Sequence, residues 1–208
     1  YCDIISMSYL FLSCTEKMLF LGTIAAVCTF VVFYLTTVFA LNWGTTKLGY
    51  SRAEFLEMQL VATLCFAAFI PLSAIFAEKF GRRATSIGVC VAAALFGLVF
   101  ASMLESGNTF IVFLFLCVGL GLMGMTYGPI GTVLSEIFPT SVRYTGSALT
   151  FNLAGILGAS FAPLIATELA TKYGLQAVGY YLTAASILSL LAFLAIRETK
   201  NDDVNNQV

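Results

Sequence analysis

The sequence predicts an all-α membrane protein with six transmembrane helices. Sixty per cent of its 208 residues are hydrophobic and 10% are charged, whereas about a quarter of the residues of a soluble domain are charged. Six apolar runs are each about long enough to cross a ~30 Å hydrocarbon core as a helix. The runs lack the alternation of membrane β-strands, and backbone hydrogen bonding in lipid leaves the helix as the structure for each.

Local signals between the runs place the ends of each span. The first run ends at Trp43, which with Tyr50 suits an interfacial aromatic belt. Ser51 and Glu54 form a capping box ahead of the second span. The sequence AEKFGRR separates the second and third spans, and a Glu-Ser-Gly-Asn turn at 105–108 separates the third and fourth. The predicted spans are 20–43, 55–77, 84–104, 110–135, 146–170 and 177–196.

Short loops carry an asymmetric distribution of Lys and Arg, which predicts the orientation in the membrane. If the hairpin at 78–83 is cytoplasmic, that side receives Lys17, Lys79, Arg82, Arg83, Arg143, Arg197 and Lys200. The other side keeps Lys47, Arg52 and Lys172. Both chain ends are therefore predicted to be cytoplasmic, as an even number of spans requires.

The chain is predicted to have three parts. Residues 1–17 form a cytoplasmic leader that matches no known pattern, residues 18–200 form the helical bundle, and residues 201–208 form a polar, disordered tail. The first residue is not Met, and Tyr1–Cys14 lacks the charged-then-apolar pattern of a signal peptide. The chain is therefore expected to be a fragment.

Composition excludes several functions. The net charge is −1 and no basic face lies outside the short loops, so no nucleic-acid partner is predicted. The sequence contains no histidine, which removes imidazole proton relays, most zinc sites and Ser–His or Cys–His catalysis. The six cysteines are scattered without a CxxC pair and are expected to be packing residues. Neither a metal nor a cofactor is predicted.

Small residues recur on one face of the fourth and fifth spans. A face with this composition permits close helix packing in a membrane, and it can also let a kinked helix bend or slide. Both interpretations stay open. The fourth-span residues are Gly121, Gly124, Gly128 and Gly131, beside Pro129, and Gly158 lies between Ala154 and Ala162 in the fifth.

Few polar side chains lie inside the spans, and these are the candidates for lining a substrate pathway. Asn or Gln in hydrocarbon is costly without a partner or a water-filled cavity, whereas Tyr and Thr often bond their own backbone. No Asp, Glu, Lys or Arg lies near the middle of a span, so a proton-carrying carboxylate is expected outside this chain. The candidates are Tyr34, Thr37, Gln59, Thr63, Tyr127 and Asn152.

The hairpin resembles a motif of the major facilitator superfamily, G-x-x-x-D-R/K-x-G-R-R/K, found after the second helix of each six-helix half. Ala74 stands for the first Gly and Glu78 for the Asp, while Lys79, Gly81, Arg82 and Arg83 match directly. A second charged loop, from Glu136 to Arg143, and the ending Arg197-Glu-Thr-Lys agree with the same family. Residues 128–166 are most similar to its metabolite:proton symporters, which include shikimate, α-ketoglutarate and proline/betaine carriers.

This resemblance implies that the chain is the C-terminal half, helices seven to twelve, of a twelve-helix carrier in the bacterial inner membrane. It implies proton symport of a small polar or anionic metabolite, with the missing N-terminal six-helix half and the lipid bilayer as partners. It also implies a cytoplasmic gating role for a set of loop residues, which must separate when the carrier opens inward. That set is Glu78, Lys79, Gly81, Arg82, Arg83, Glu136 and Arg143.

Other classes fit the sequence less well. A rhomboid-type protease needs a Ser–His pair, and an aquaporin-type channel needs Asn-Pro-Ala half-helices that are absent here. A membrane scaffold or sensor predicts long soluble loops, whereas every loop here is short. The alternative to transport is a non-transporting scaffold or sensor, or an inactive truncated product.

Overall fold

The computed structural model describes residues 2–196, with side chains from residue 16 onward. The predicted disordered tail at 201–208 and the charged ending at 197–200 lie outside the described residues. Within the described range every regular element is helical, and six helices are long and apolar enough to cross a membrane. The predicted fold class is confirmed.

The six helices follow one another with short connections. The first and fifth are each interrupted by a π-helical turn, a register change that leaves backbone carbonyls without their usual partners. The first comprises Cys2–Tyr34, the π-turn Leu35–Phe39 and Ala40–Thr46, and it extends through the segment predicted as a leader. The others are Arg52–Phe80, Arg82–Leu104, Thr109–Ile137, the interrupted fifth (Arg143–Gly155, Ile156–Phe161 and Ala162–Tyr173) and Leu175–Ala195.

The predicted capping box is confirmed at the start of the second helix. The Glu54 backbone N–H donates to Ser51 Oγ at 3.2 Å, and the Ser51 N–H donates to Glu54 Oε2 at 2.9 Å. At the start of the fourth helix, the Phe110 N–H donates to Asn108 Oδ1 at 2.9 Å. These side chains supply acceptors to N–H groups that have no partner within the helix.

The helices pair in a pattern that divides the bundle into two three-helix repeats. The second helix of the first repeat packs along the fourth, and its equivalent, the fifth, packs along the first. In the same way, the third helix packs against the fourth and its equivalent, the sixth, packs against the first. The third and sixth helices, equivalent positions in the two repeats, pack against each other. Because each repeat has three spans, the second repeat crosses the membrane in the opposite direction to the first.

Small residues set the closest approach within this bundle. The third and sixth helices cross at Gly97 and Gly179, where a Cβ added to Gly97 would lie 2.7 Å from the Gly179 carbonyl oxygen. The first and sixth helices are joined by Ser189, which is fully buried. Its hydroxyl accepts from the Cys28 N–H (3.1 Å) and donates to the Ile24 carbonyl (2.7 Å), so it contacts both members of one i→i−4 pair of the first helix.

Burial is uneven around the bundle. Only 17% of the apolar segment of the second helix and 22% of that of the fifth are buried in this chain, against 44–50% for the other four helices. Leu60 of the second helix and Leu164 of the fifth are 74% and 70% exposed. These equivalent helices of the two repeats therefore present apolar faces that no other part of the described chain covers.

Candidate functional site

The turn between the second and third helices depends on Gly81. We call the bundle end that holds this turn and the loop at 138–142 the hairpin end, and the opposite one the far end. Gly81 is buried with φ +98°, a conformation that residues with a Cβ rarely adopt. Its N–H donates to the Ala77 carbonyl (3.0 Å), and its own carbonyl accepts from the Thr85 N–H (3.1 Å) and hydroxyl (2.9 Å). The turn is therefore fixed from both sides.

The two arginines after Gly81 make different contacts. Arg82 forms a salt bridge with Glu136 near the end of the fourth helix, with the two side chains 46% and 26% exposed. Arg83 donates from Nε to the Phe193 carbonyl (2.8 Å) and from Nη2 to the Leu194 carbonyl (2.7 Å). Arg83 thus binds the last turn of the sixth helix, where carbonyls lack helical partners and the helix dipole favours a cation.

The remaining residues that the sequence predicts to gate the carrier lie at the same end. Lys79 Nζ is 5.3 Å from the centroid of the Phe80 ring, within the range of a cation–π contact. Glu78 is exposed near the end of the second helix. Arg143 begins the fifth helix, and its Nε is 3.5 Å from the carbonyl oxygen of Phe138, which follows the fourth helix. The structure therefore gathers the whole motif at the hairpin end.

Sequence reasoning did not foresee the role of Arg83. Its partner carbonyls are 110 and 111 residues away, and a backbone carbonyl has no signature in the sequence. Together with the Arg82–Glu136 pair, this contact ties the third, fourth and sixth helices to one another at the hairpin end. Both arginines are engaged within the same six-helix bundle.

The glycine face of the fourth helix lies against the second helix. A Cβ added to Gly124 would lie 2.6 Å from the Phe66 carbonyl oxygen, and one on Gly128 would overlap Ser73 Oγ. Gly121 has ordinary contact distances of 3.5 Å to the Phe69 ring. Gly131 differs from the expected pattern, because nothing lies within 4 Å of an added Cβ there.

The structure also places the other two residues predicted to serve helix packing. Gly158, in the π-turn of the fifth helix, packs directly on Phe30 of the first helix, where an added Cβ would overlap the Phe30 side chain. Pro129 is buried inside the fourth helix, which continues through it to Ile137. The contact between the first and fifth helices at Gly158 is thus close enough to require a residue without a side chain.

The structure brings Gln59 and Thr37 together at a cavity of about 360 Å³ near the far end. Gln59 Nε2 donates to the carbonyls of Thr36 (3.2 Å) and Thr37 (2.8 Å) in the π-turn of the first helix. The Thr37 hydroxyl donates to the Phe33 carbonyl at 2.6 Å. Gln59 is therefore a buried side chain that both stabilises the π-turn and borders a cavity.

The other pathway candidates occupy more exposed positions. Tyr34 packs edge-on against Phe33, with ring centroids 5.2 Å apart, and the exposed Thr63 donates to the Gln59 carbonyl at 2.8 Å. Asn152 is exposed, and its Nδ2 donates to the Ala148 carbonyl at 2.8 Å within its own helix. The uncovered face thus carries Asn152 without any partner from another helix.

An aromatic row crosses this face near the middle of the spans. Tyr127 of the fourth helix, 41% exposed, lies between Phe66 of the second (6.0 Å) and Phe151 of the fifth (6.4 Å). Phe151 in turn contacts Phe30 of the first helix at 5.0 Å. Sequence reasoning selected Tyr127 but missed the row, because its rings come from four helices that only tertiary packing brings together.

Comparison with known proteins places this geometry in a family. The model of the Major Facilitator Superfamily matches residues 18–207. The inner membrane metabolite transport protein YhjE of Escherichia coli is 43% identical over 189 residues, covering 88% of this chain and 43% of that protein. The shikimate transporter of Escherichia coli and the citrate-proton symporter of Klebsiella pneumoniae are each 30% identical, covering 83% and 82% of this chain and 40% and 39% of those proteins.

These matches cover most of this chain, but the chain spans less than half the length of the curated relatives it matches. Its six membrane helices, its paired three-helix repeats and its hairpin motif agree with the family match. The chain belongs to the major facilitator superfamily, whose members related to it are membrane transporters and not enzymes.

Proposed function

We propose that this chain is the C-terminal six-helix half of a secondary carrier that transports a small polar or anionic metabolite together with a proton. The observation that carries the proposal is the pair of uncovered apolar faces on the second and fifth helices. These equivalent helices of the two repeats leave a surface on which a second bundle can pack, as alternating access requires. The partial coverage of the longer relatives supports the same proposal.

We place the hairpin end in the cytoplasm of a bacterial inner-membrane protein. Lys79, Arg82, Arg83 and Arg143 lie at this end, whereas Lys47, Arg52 and Lys172 lie at the far end. The positive-inside rule favours cytoplasmic placement of the end that is richer in Lys and Arg. The name of the Escherichia coli relative YhjE supports an inner-membrane location.

The contacts of Arg82 and Arg83 suggest how this half moves. Both side chains join helices of the same bundle, so the third, fourth and sixth helices move as one body at the hairpin end. The side chains of Glu78 and Arg143 are exposed at the same end of the bundle. We assign gating to these surface charges and rigidity of the half to the two arginines.

Proton coupling is expected to depend on the other half. Among the described spans, the carboxylates lie towards the span ends: Glu16 in the first, Glu54, Glu57 and Glu78 in the second, Glu136 in the fourth and Glu168 in the fifth. A buried carboxylate is the usual proton carrier in such proteins. The citrate-proton symporter of Klebsiella pneumoniae supports proton coupling in a relative of this chain.

The test is uptake by the full-length gene product in proteoliposomes. Radiolabelled citrate, shikimate and glycine betaine are supplied with an inward proton gradient, then with the gradient dissipated by a protonophore. We expect uptake of at least one anionic probe that is lost with the protonophore. The 208-residue chain alone, reconstituted beside it, should be inactive.

The control for this experiment is retained folding of both proteins. Size-exclusion elution and circular dichroism establish that both proteins are folded. Uptake that persists with the protonophore would refute proton coupling. Equal uptake by the 208-residue chain alone would refute the half-carrier assignment.

A further inference from the structure

We propose that the cavity near the far end is an entrance site for carboxylate substrates, oriented by Arg52, and that it selects carboxylates that also carry O–H or N–H donors. The cavity is about 360 Å³ and lies between the first and second helices. This volume is within the range of small-molecule sites in proteins. The proposal gives a substrate class to the proposed carrier, and its physiological meaning rests on that function.

Three side chains of the cavity wall present hydrogen-bond acceptors to a ligand, beside the donors of Arg52 and the amide of Asn42, which has both donors and an acceptor. The hydroxyl of Thr37 donates to the Phe33 carbonyl (2.6 Å), and that of Thr45 donates to the Leu41 carbonyl (2.9 Å). Each hydroxyl has a single hydrogen, so only its lone pairs remain for a ligand. The hydroxyls of Thr37 and Thr45 can therefore accept, but not donate, a hydrogen bond from or to a ligand in the cavity.

Gln59 presents the same chemistry. Its side chain is 9% exposed, and its two N–H groups are used by the carbonyls of Thr36 and Thr37. Within the described part of the chain, no group donates to its Oε1. A ligand that supplies an O–H or N–H can donate a hydrogen bond to this oxygen. The side-chain oxygen of Gln59 is therefore an acceptor for a ligand in the cavity.

Arg52 supplies the positive charge of the site. It lines the cavity and forms no ion pair with any residue whose side chain the structure describes. Among the side chains that the structure describes, none that lines this cavity is acidic. A guanidinium binds a carboxylate in a bidentate geometry, which fixes the orientation of the ligand as well as attracting it. The carboxylate end of a substrate is therefore expected at Arg52.

Side chains at helical spacing lead from the cavity towards the aromatic row. On the first helix, Tyr34 and Phe30 follow Thr37 at intervals of three and four residues, which keeps them on one face. On the second helix, Thr63 and Phe66 follow Gln59 in the same way. A ligand held at Arg52 therefore lies at the mouth of a face that leads to the middle of the membrane.

The combination defines a ligand with two unlike ends. Arg52 favours a carboxylate, and the acceptors of Thr37, Thr45 and Gln59 favour hydroxyl or ammonium donors on the same ligand. Hydroxy acids and primary amino acids meet both requirements. A carboxylate whose nitrogen is fully methylated meets only the first, because it has no N–H to donate.

The test is direct binding to the purified full-length protein in lipid nanodiscs, measured by isothermal titration. Two matched pairs are used as probes: malate against succinate, which differ by one hydroxyl, and glycine against glycine betaine, which differ by N-methylation. One hydrogen bond corresponds to about 2- to 12-fold in affinity. We expect malate and glycine to bind more tightly than their partners by about this factor.

Variants locate the binding in this cavity. Arg52→Gln should weaken malate binding by about tenfold or more, as expected for loss of a charged hydrogen bond. Lys47→Gln is the matched control, because Lys47 carries the same charge at the same end but does not line the cavity. Circular dichroism and elution profile establish that each variant is folded.

Several results would overturn the proposal. These are equal affinities within both pairs, absence of binding by all four probes, or equal weakening by Arg52→Gln and Lys47→Gln. The proposed carrier function fails separately: proton-coupled uptake with unchanged binding in Arg52→Gln removes this inference alone. Selective binding without uptake removes the carrier function and leaves the entrance site.

Discussion

Replacement of Gly124 by Ala tests how closely the second and fourth helices pack. The added Cβ would lie 2.6 Å from the Phe66 carbonyl oxygen and 3.1 Å from Phe69 Cβ, whereas ordinary contacts begin at 3.4 Å. The nearest atom belongs to the backbone, so no side-chain rotation can relieve the overlap. The two helices must separate locally by several tenths of an ångström.

The expected cost follows from two opposing effects. Overpacking of a well-packed interface costs about 1–3 kcal/mol. Replacing Gly by Ala inside a helix recovers up to about 1 kcal/mol through backbone entropy. We therefore expect Gly124→Ala to lower the free energy of unfolding by about 1–2 kcal/mol. Gly131→Ala, in the same helix with nothing within 4 Å of its Cβ, should be neutral or stabilising.

The assay is reversible unfolding of the full-length protein in mixed micelles, followed by circular dichroism as the denaturing detergent fraction rises. The difference between Gly124→Ala and Gly131→Ala is the informative quantity, because both variants gain the same helix propensity. If the two variants unfold at the same detergent fraction, the close second–fourth contact does not exist and the reasoning is wrong.

Two further predictions concern buried and interfacial hydrogen bonds, measured by the same unfolding assay. Arg83→Ala loses two charge-assisted bonds to the end of the sixth helix and should cost about 1.5–3 kcal/mol, whereas Arg82→Ala loses a partly exposed salt bridge and should cost about 0–1 kcal/mol. Equal costs would contradict the assignment of Arg83 as a helix cap. Ser189→Ala should cost about 1 kcal/mol because it removes the bridge to the first helix, while Ser102→Ala, whose exposed hydroxyl bonds only the Val99 carbonyl, should be near neutral. A larger effect at Ser102 would contradict this account.

Residues at the hairpin end illustrate what a pattern in the chain can and cannot predict. The motif from Glu78 to Arg83 could be found because its spacing is local and its charges cannot stay in lipid. That Arg82 would pair with Glu136 was within the expected network, although the pairing itself was left open. The attachment of Arg83 to the carbonyls of Phe193 and Leu194 could not be found, because every helix ends in such carbonyls.

For the candidates to line a substrate pathway, too, the sequence predicted some features and the structure supplied others. Gln59 was selected because an amide in hydrocarbon needs a partner, and the structure supplies the carbonyls of a π-turn that no sequence pattern announced. Asn152 was selected for the same reason, yet its amide bonds its own helix on an exposed face. Arg52 was counted only as a topological charge, and its place on a cavity became visible once the first and second helices were packed.

The sequence by itself determined the six spans, the capping box of the second span and the asymmetric distribution of positive charge. These properties depend on runs of about 20 residues and on the few residues between them, so the cost of placing polar groups in lipid is sufficient to decide them. Tertiary structure alone decided which face of each helix meets a neighbour. Gly124 and Gly131 are both glycines on one helix, and only the rotation of that helix against the second makes one a close contact and leaves the other open.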